Sequence, residues 1–317
     1  MLYFYNIKQD YLRFTGNDKL DLINRLSTNE VNSLQKNFWV KTILTSDKGR
    51  IIDVLTLFNN QDYILALCSF NNSNRVLEHL EKYTIMDDFY SENLSGNYKT
   101  ILLWGYKSES FINELTSINC NDIPKNGFLQ NENYSFIIYK TDEFTEGIIL
   151  IYSINSADYL EEKFADKNII NRFNLQEISD KQFDIIRTES GIPIFGKEIT
   201  EQVNPLECGL EKYVSFTKGC YIGQEVIARL DAYDKISKHL IGLKIIGDIT
   251  EYDANYKIAI EGKECGFVTS IVKSEKFGII GLGYVKTIFL DYTKNYKIKT
   301  ESKEYNCSLI KLPFTLQ

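Results

Sequence analysis

Histidine is scarce in this chain, with two residues, His79 and His239, in 317. They stand far apart and read as surface or packing residues, which counts against a Ser–His–Asp triad. No run approaches the roughly 18 apolar residues that a membrane-spanning helix needs. The first stretch, "MLYFYNIKQDYLRF", is aromatic but broken by Asn6, Lys8, Gln9 and Asp10. It lacks a basic region, an apolar core and a small-residue cleavage site, so it is not a secretory signal. The expectation is a reducing compartment such as a bacterial cytoplasm, with no membrane partner.

Positive charge is also in deficit. The formal net charge is −7, so no global field draws the chain to nucleic acid or anionic lipid. The six cysteines, at 68, 120, 208, 220, 265 and 307, include no CxxC pair. Reduced thiols are expected rather than a disulfide framework, and no metal site is expected from such spacing. The glycines of "GLGYV" lack the GxGxxG spacing and precede no helix, and no Walker A string occurs, which excludes the usual phosphate cradles.

What remains is an ordinary globular composition, 44% hydrophobic and 25% charged, long enough for two or three domains. Extended segments such as "VKTILT", "GRIIDVLTLF" and "DYILALCSF" are β-branched or aromatic and bounded by Asn, Asp or Gly. "NSNRVLEHLEKY", "SESFINELTSI" and "SADYLEEKFADK" read as helices, with Ser108 capping the second. "YSFIIYKTD" and "EGIILIYS" read as a hairpin. In "FTGNDKLDLINRLSTNEV", a short strand leads to a helix capped by Asn17, with Leu20, Ile23 and Leu26 on one stripe. "SDKQFDIIRTESG" carries a capping box at Ser179 and Gln182, and should stop at Gly191 ahead of Pro193. From about residue 237, short apolar strands and turns predict a small β-barrel or sandwich. The mixture favours α+β with antiparallel sheets, divided into 1–236 and a C-terminal barrel domain, 237–317.

Three places carry candidate chemistry. Asp53 sits between Ile52 and Val54, either on a solvated strand face or at a cavity rim facing an amine. Arg187 and Glu189 lie at a helix end; an ionised glutamate there can accept two N–H bonds from a heterocycle edge, or the pair can be surface ion-pair partners. The third is "KGCYIGQE", residues 218–225. Gly219 permits a turn before a helix starting near Tyr221 or Ile222, which would put Cys220 at a positive helix end beside Lys218. If that helix runs through Arg229, Cys220 and Gln224 lie one turn apart, as do Glu225 and Arg229. Nucleophile, metal ligand and small apolar filler all stay open for Cys220. Asp87-Asp88 read as a solvated turn.

"FTKGCYIGQEVIAR" closely resembles the K-G-C-[FY]-x-G-Q-E motif of the YgfZ family of folate-binding proteins, relatives of the glycine cleavage T-protein (aminomethyltransferase). "LTSDKGRIIDVL", "RTESGIPIFGKEITEQVNPLECGL" and "GKECGFVTSIVKSEKFGIIGLGYV" agree in order, so the resemblance spans about residues 10–286. It implies two α+β lobes and a C-terminal β-barrel around a central channel that binds tetrahydrofolate or a derivative. It also implies that Asp53 faces the reacting folate nitrogen and that Glu189 holds the pterin edge. The anionic folate tail would want a cation, for which Lys218 and Arg229 are candidates, with Arg187 beside Glu189 in the same cofactor-binding set. T-proteins commonly show two adjacent acids where this chain has Asp53-Val54, and they lack the cysteine motif. The resemblance therefore implies a role in the assembly or repair of iron–sulfur proteins, which would be the partners. Cys220 would be a thiol nucleophile, a redox group or a transient cluster contact. Folate-dependent aminomethyl transfer or demethylation is the alternative.

Overall fold

The computed structural model describes residues 1–131, 136–141, 143–144, 147–233, 235–247, 249, 256–300 and 303–315. The chain opens with β1 (Leu2–Ile7), β2 (Gln9–Thr15) and α1 (Lys19–Leu26), followed by β3 (Trp39–Thr45), β4 (Ile51–Asn59) and β5 (Ile64–Ser69). Next come α2 (Ser73–Tyr83), β6 (Tyr90–Asn93), β7 (Tyr98–Trp104) and α3 (Ser108–Thr116). Then follow β8 (Leu129–Asn131), β9 (Phe136–Thr141), β10 (Gly147–Ser153), α4 (Ala157–Ala165), α5 (Lys167–Phe173) and β11 (Leu175–Glu177). After α6 (Asp180–Ser190) and α7 (Gln224–Ala232), the chain ends in β12 (Lys238–Ile246), β13 (Lys257–Ile260), β14 (Lys263–Ser274), β15 (Gly278–Lys286), β16 (Asn295–Lys299) and β17 (Glu304–Ile310).

These elements form two compact units. The first contains residues 1–45, 52–179 and 215–222, and the second 46–51, 180–214 and 223–317. The first unit holds two sheets, ordered β11-β1-β7-β10-β9-β8 and β3-β4-β5-β2-β6. One core joins Leu2, Leu103 and Leu150 to Phe111 of α3 and Leu160 of α4. The other joins Leu12, Phe14 and Leu57 to Leu22 and Ile23 of α1 and Val76 and Leu80 of α2. Full burial of each such side chain stabilises by about 1.5–3 kcal/mol relative to exposure.

In the second unit the last six strands close into a barrel, β12-β15-β14-β13-β16-β17, antiparallel throughout. All six correspond to the segments read from sequence, and the α+β class with a C-terminal barrel is the observed one. Gly281 of "GLGYV" serves strand approach: a Cβ there would stand 2.4 Å from the Ser270 carbonyl oxygen. Packed on β14 and β15, α6 ends at Ser190, and Gly191 follows at φ +70°.

Several local expectations are corrected. The short strand expected to open "FTGNDKLDLINRLSTNEV" is the end of the longer β2, and β1 precedes it. Asp18, not Asn17, holds the N-cap of α1, and its side chain makes no cap bond. It accepts instead from the Asp88 amide at 2.8 Å, while the Asp88 carboxylate accepts from the Asn17 amide at 2.9 Å and Asp87 pairs with Arg25. The Asp87-Asp88 turn is thus a fastening for both ends of α1. Lys107 precedes α3, so Ser108 is its first helical residue. "SADYLEEKFADK" breaks at Asp166, whose carboxylate caps the next helix through the Asn168 amide at 2.8 Å. The predicted hairpin is β9 against β10, although Tyr134, Ser135, Asp142 and Glu146 of its two segments lie outside the described residues. Among the described residues, no helix is long and apolar enough to cross a membrane.

Candidate functional site

The "KGCYIGQE" stretch is built differently from its sequence reading. In the first unit, α1 ends at Leu26 and leaves carbonyls without helical partners. The Lys218 ammonium donates to the carbonyls of Asn24, Ser27 and Asn29 at 2.7, 2.9 and 2.6 Å. Its three N–H groups and its charge suit the negative C-terminal end of that helix. Burial pulls its pKa down to about 8, and Glu30 pulls the other way. Lys218 therefore fastens its own segment onto α1, and its three donors are engaged there rather than offered to an anionic tail.

The neighbours of Cys220 are pinned too. The Ser215 amide donates to the Thr28 carbonyl at 2.9 Å, and the Ile222 amide to the Arg25 carbonyl at 3.0 Å. The Thr45 hydroxyl donates to the Ile222 carbonyl at 2.6 Å. The Tyr221 ring is buried, with the Lys218 ammonium 5.2 Å from its centroid. Between these anchors Cys220 is exposed, whereas the other five cysteines are buried. That excludes the filler reading. The helix begins at Gln224, not near Tyr221, so Cys220 stands outside the first turn where a helix dipole acts. Among the described residues, no group of three or more His, Cys, Asp or Glu is placed to hold a metal ion.

The glycine that matters is Gly223, not Gly219. Gly223 holds φ +83° at the N-cap of α7, and a Cβ there would lie 2.5 Å from the Ser46 carbonyl oxygen and 3.0 Å from the Gly49 Cα. Gly219 has open space around it. Gly223→Ala is expected to destabilise by about 2 kcal/mol and Gly219→Ala by less than about 0.5 kcal/mol, read from chemical denaturation midpoints.

Asp53 is neither solvated nor at a rim. It is 0% exposed. One carboxylate oxygen accepts from the Val54 amide at 2.7 Å and the Ser69 hydroxyl at 2.6 Å, the other from the Ser69 amide at 2.9 Å and Asn72 Nδ2 at 3.0 Å. Burial pushes its carboxyl above the ordinary range, and these donors pull it back. Strand alternation turns Val54 to the opposite face of β4, where it is half-buried. Ser69 and Asn72, which hold this carboxylate, are not singled out by the sequence: Ser69 falls near the end of the extended "DYILALCSF" and Asn72 at the start of the helical "NSNRVLEHLEKY".

The remaining candidates belong to the second unit. Arg187 is wholly buried. It donates to Asp184 at 2.6 Å, the Ile192 carbonyl at 3.2 Å, Glu198 at 3.0 Å and the Ser270 hydroxyl at 2.7 Å. Glu198, also wholly buried, accepts further from the Ile194 amide and the Thr269 and Ser270 hydroxyls. A surface pair is thus replaced by an internal network tying α6 and the Ile194–Glu198 turn to β14. Glu189, two residues on, accepts from the Ser274 hydroxyl at 2.6 Å, and its other oxygen lies 3.9 Å from Lys276 Nζ. That second oxygen retains acceptor capacity. Arg229 is exposed on α7. Asp53, Lys218 and Cys220 share the first unit; Arg187, Glu189 and Arg229 share the second.

Residues 9–135 match the family described as the GCVT N-terminal domain, and residues 238–315 match the glycine cleavage T-protein C-terminal barrel domain. The chain belongs to the aminomethyltransferase superfamily. A crystal structure of the glycine cleavage system aminomethyltransferase T from Bartonella henselae has the same fold, with a TM-score of 0.86 at 17% identity over 99% of this chain and 86% of that one. A chloroplastic protein of Arabidopsis thaliana is 26% identical over 87% of this chain, which spans 63% of that protein's length. An aminomethyltransferase of Listeria welshimeri is 23% identical, the match covering 94% of this chain and 82% of that one. This chain is thus a T-protein-like protein.

Proposed function

We propose that this protein binds tetrahydrofolate or a derivative and acts, as the YgfZ family does, in the assembly or repair of iron–sulfur cluster proteins, with Cys220 as its reactive thiol. The observation that carries this reading is the thiol itself. It is the one exposed cysteine of the six, on a segment pinned on both sides by Lys218, Tyr221 and Ile222. A cluster needs about four ligands, so a lone thiol suits transient contact with a client's cluster or sulfur rather than a resident one.

Glu189 and Arg229 fit a reduced folate. The Glu189 carboxylate has an oxygen able to accept from the N–H edge of a pterin, and Arg229 presents an exposed cation suited to the glutamate tail. The polar atoms of Asp53, Arg187 and Lys218 are engaged internally, so each of these residues supports the fold of its own unit. Bound folate would supply one-carbon chemistry at its pterin-ring and bridging amine nitrogens. Calorimetric titration with tetrahydrofolate is expected to show binding by the wild type and at least tenfold weaker binding by Glu189→Gln. A wild type that takes up no reduced folate would remove the folate part of this reading.

The second reading is folate-dependent aminomethyl transfer, favoured by relatives such as the Listeria protein whose names state that activity. Against it stands Val54, an apolar side chain on the strand face opposite buried Asp53. Formation of methylenetetrahydrofolate from an aminomethylated lipoyl carrier would favour transfer; absence of turnover with tetrahydrofolate bound would favour the first reading.

A further inference from the structure

The first unit contains a cleft of about 640 Å³ that none of the folate or thiol candidates lines. Its walls come from β1, β2, β7, β10 and the end of α4. Clefts that take small organic ligands run from about 300 to 1,000 Å³.

The chemistry of the lining is unevenly distributed. Inside are two ring pairs, Phe4 with Phe164 at a centroid distance of 4.8 Å and Tyr11 with Tyr98 at 5.5 Å. Such rings favour offset or edge-on contact with another flat ring. Neutral polar groups line it too: the Thr100 hydroxyl bonds to Gln9 Nε2 and to the Tyr11 hydroxyl, both at 2.7 Å. Burial pushes the Tyr11 hydroxyl up to about 12, which keeps it protonated at neutral pH. Phe70, also in the lining, is 51% exposed, a large ring left in water at the edge.

Charge also lines the cleft, from Lys8, Lys99, Glu161 and Glu177. Of these, Lys99 and Glu161 pair with each other at 2.9 Å, with side chains 44% and 61% exposed. An exposed pair of this kind is worth under about 1 kcal/mol. It exchanges readily for a ligand that brings one charge of each sign: Lys99 takes a carboxylate and Glu161 an ammonium. The aromatic rings of the lining then take the ligand's body.

We infer that this cleft is a second small-molecule site, selective for a zwitterion with a flat aromatic body, the class of aromatic α-amino acids. It is independent of the folate reading, since it shares none of those residues.

The test uses the full chain and L-tryptophan as probe, followed by saturation-transfer NMR and calorimetry. Tryptophan should receive saturation on its indole protons. Tryptamine, lacking the carboxylate, and indole-3-acetate, lacking the ammonium, should each bind at least threefold more weakly. Lys99→Glu removes the carboxylate partner on an exposed side chain. Ala165→Trp fills the cleft from the exposed last residue of α4. Each variant should bind tryptophan at least fivefold more weakly while keeping the wild-type melting temperature within a few degrees. The inference is overturned if tryptophan does not bind, if either folded variant binds it as tightly as wild type, or if tryptamine binds equally well. Displacement of tryptophan by tetrahydrofolate would also overturn it, by making the cleft part of the folate site.

Discussion

Arg187→Ala is expected to lower stability by about 3–5 kcal/mol, because it leaves Glu198 charged and buried without its cation. Glu198 is 0% exposed, and its remaining partners are an amide and two hydroxyls. Neutral donors offset only part of the cost of keeping a carboxylate out of water. The replacement also opens space where one of the largest buried side chains sat. Removing both charges should be milder: Arg187→Met combined with Glu198→Leu is expected to recover at least half of the loss, since a buried ion pair can be exchanged for apolar packing. Urea denaturation followed by tryptophan fluorescence and circular dichroism measures both. If Arg187→Ala alters folate affinity with unchanged stability, Arg187 is a ligand residue and the network account is wrong.

Asp53→Ala is expected to destabilise by about 3 kcal/mol or more. Four donors converge on this carboxylate, from Val54, Ser69 and Asn72, and truncation strands all of them in the interior. The effect belongs to the fold and should appear without any ligand. pH supplies a second readout. The Asp53 carboxyl is raised above its ordinary value by burial. The folded chain therefore holds this proton more tightly than the unfolded chain does. The associated stability is fully present below the unfolded pKa, near 4, and is lost as pH rises through the folded one. The stability of wild type relative to Asp53→Asn should accordingly fall as pH rises from 4. A difference that grows with pH would mean that the four donors outweigh burial.

The barrel was legible because each strand is a short apolar run bounded by turn residues, and turn chemistry is local. The β9–β10 hairpin and the stop of α6 at Gly191 were legible for the same reason. The site was less so, because its determinants are partners far apart in sequence. Lys218 reads as a free cation until Asn24, Ser27 and Asn29 are brought to it from nearly two hundred residues away. Asp53 reads as a strand's polar face until Ser69 and Asn72 close over it. Arg187 reads as a helix-end surface charge until Glu198 and Ser270 bury it. The helix after Cys220 was placed too early because Gly219 was given the turn; the positive φ belongs to Gly223, and its demand for glycine comes from the Ser46 carbonyl.

The exposed thiol is the centre of the functional account, and complementation tests it most directly. In cells deleted for this gene, the wild-type chain should restore the activity of iron–sulfur enzymes of the aconitase type. Cys220→Ala, at equal expression and with unchanged stability, should leave it near the deletion level. Full restoration by Cys220→Ala would contradict the account.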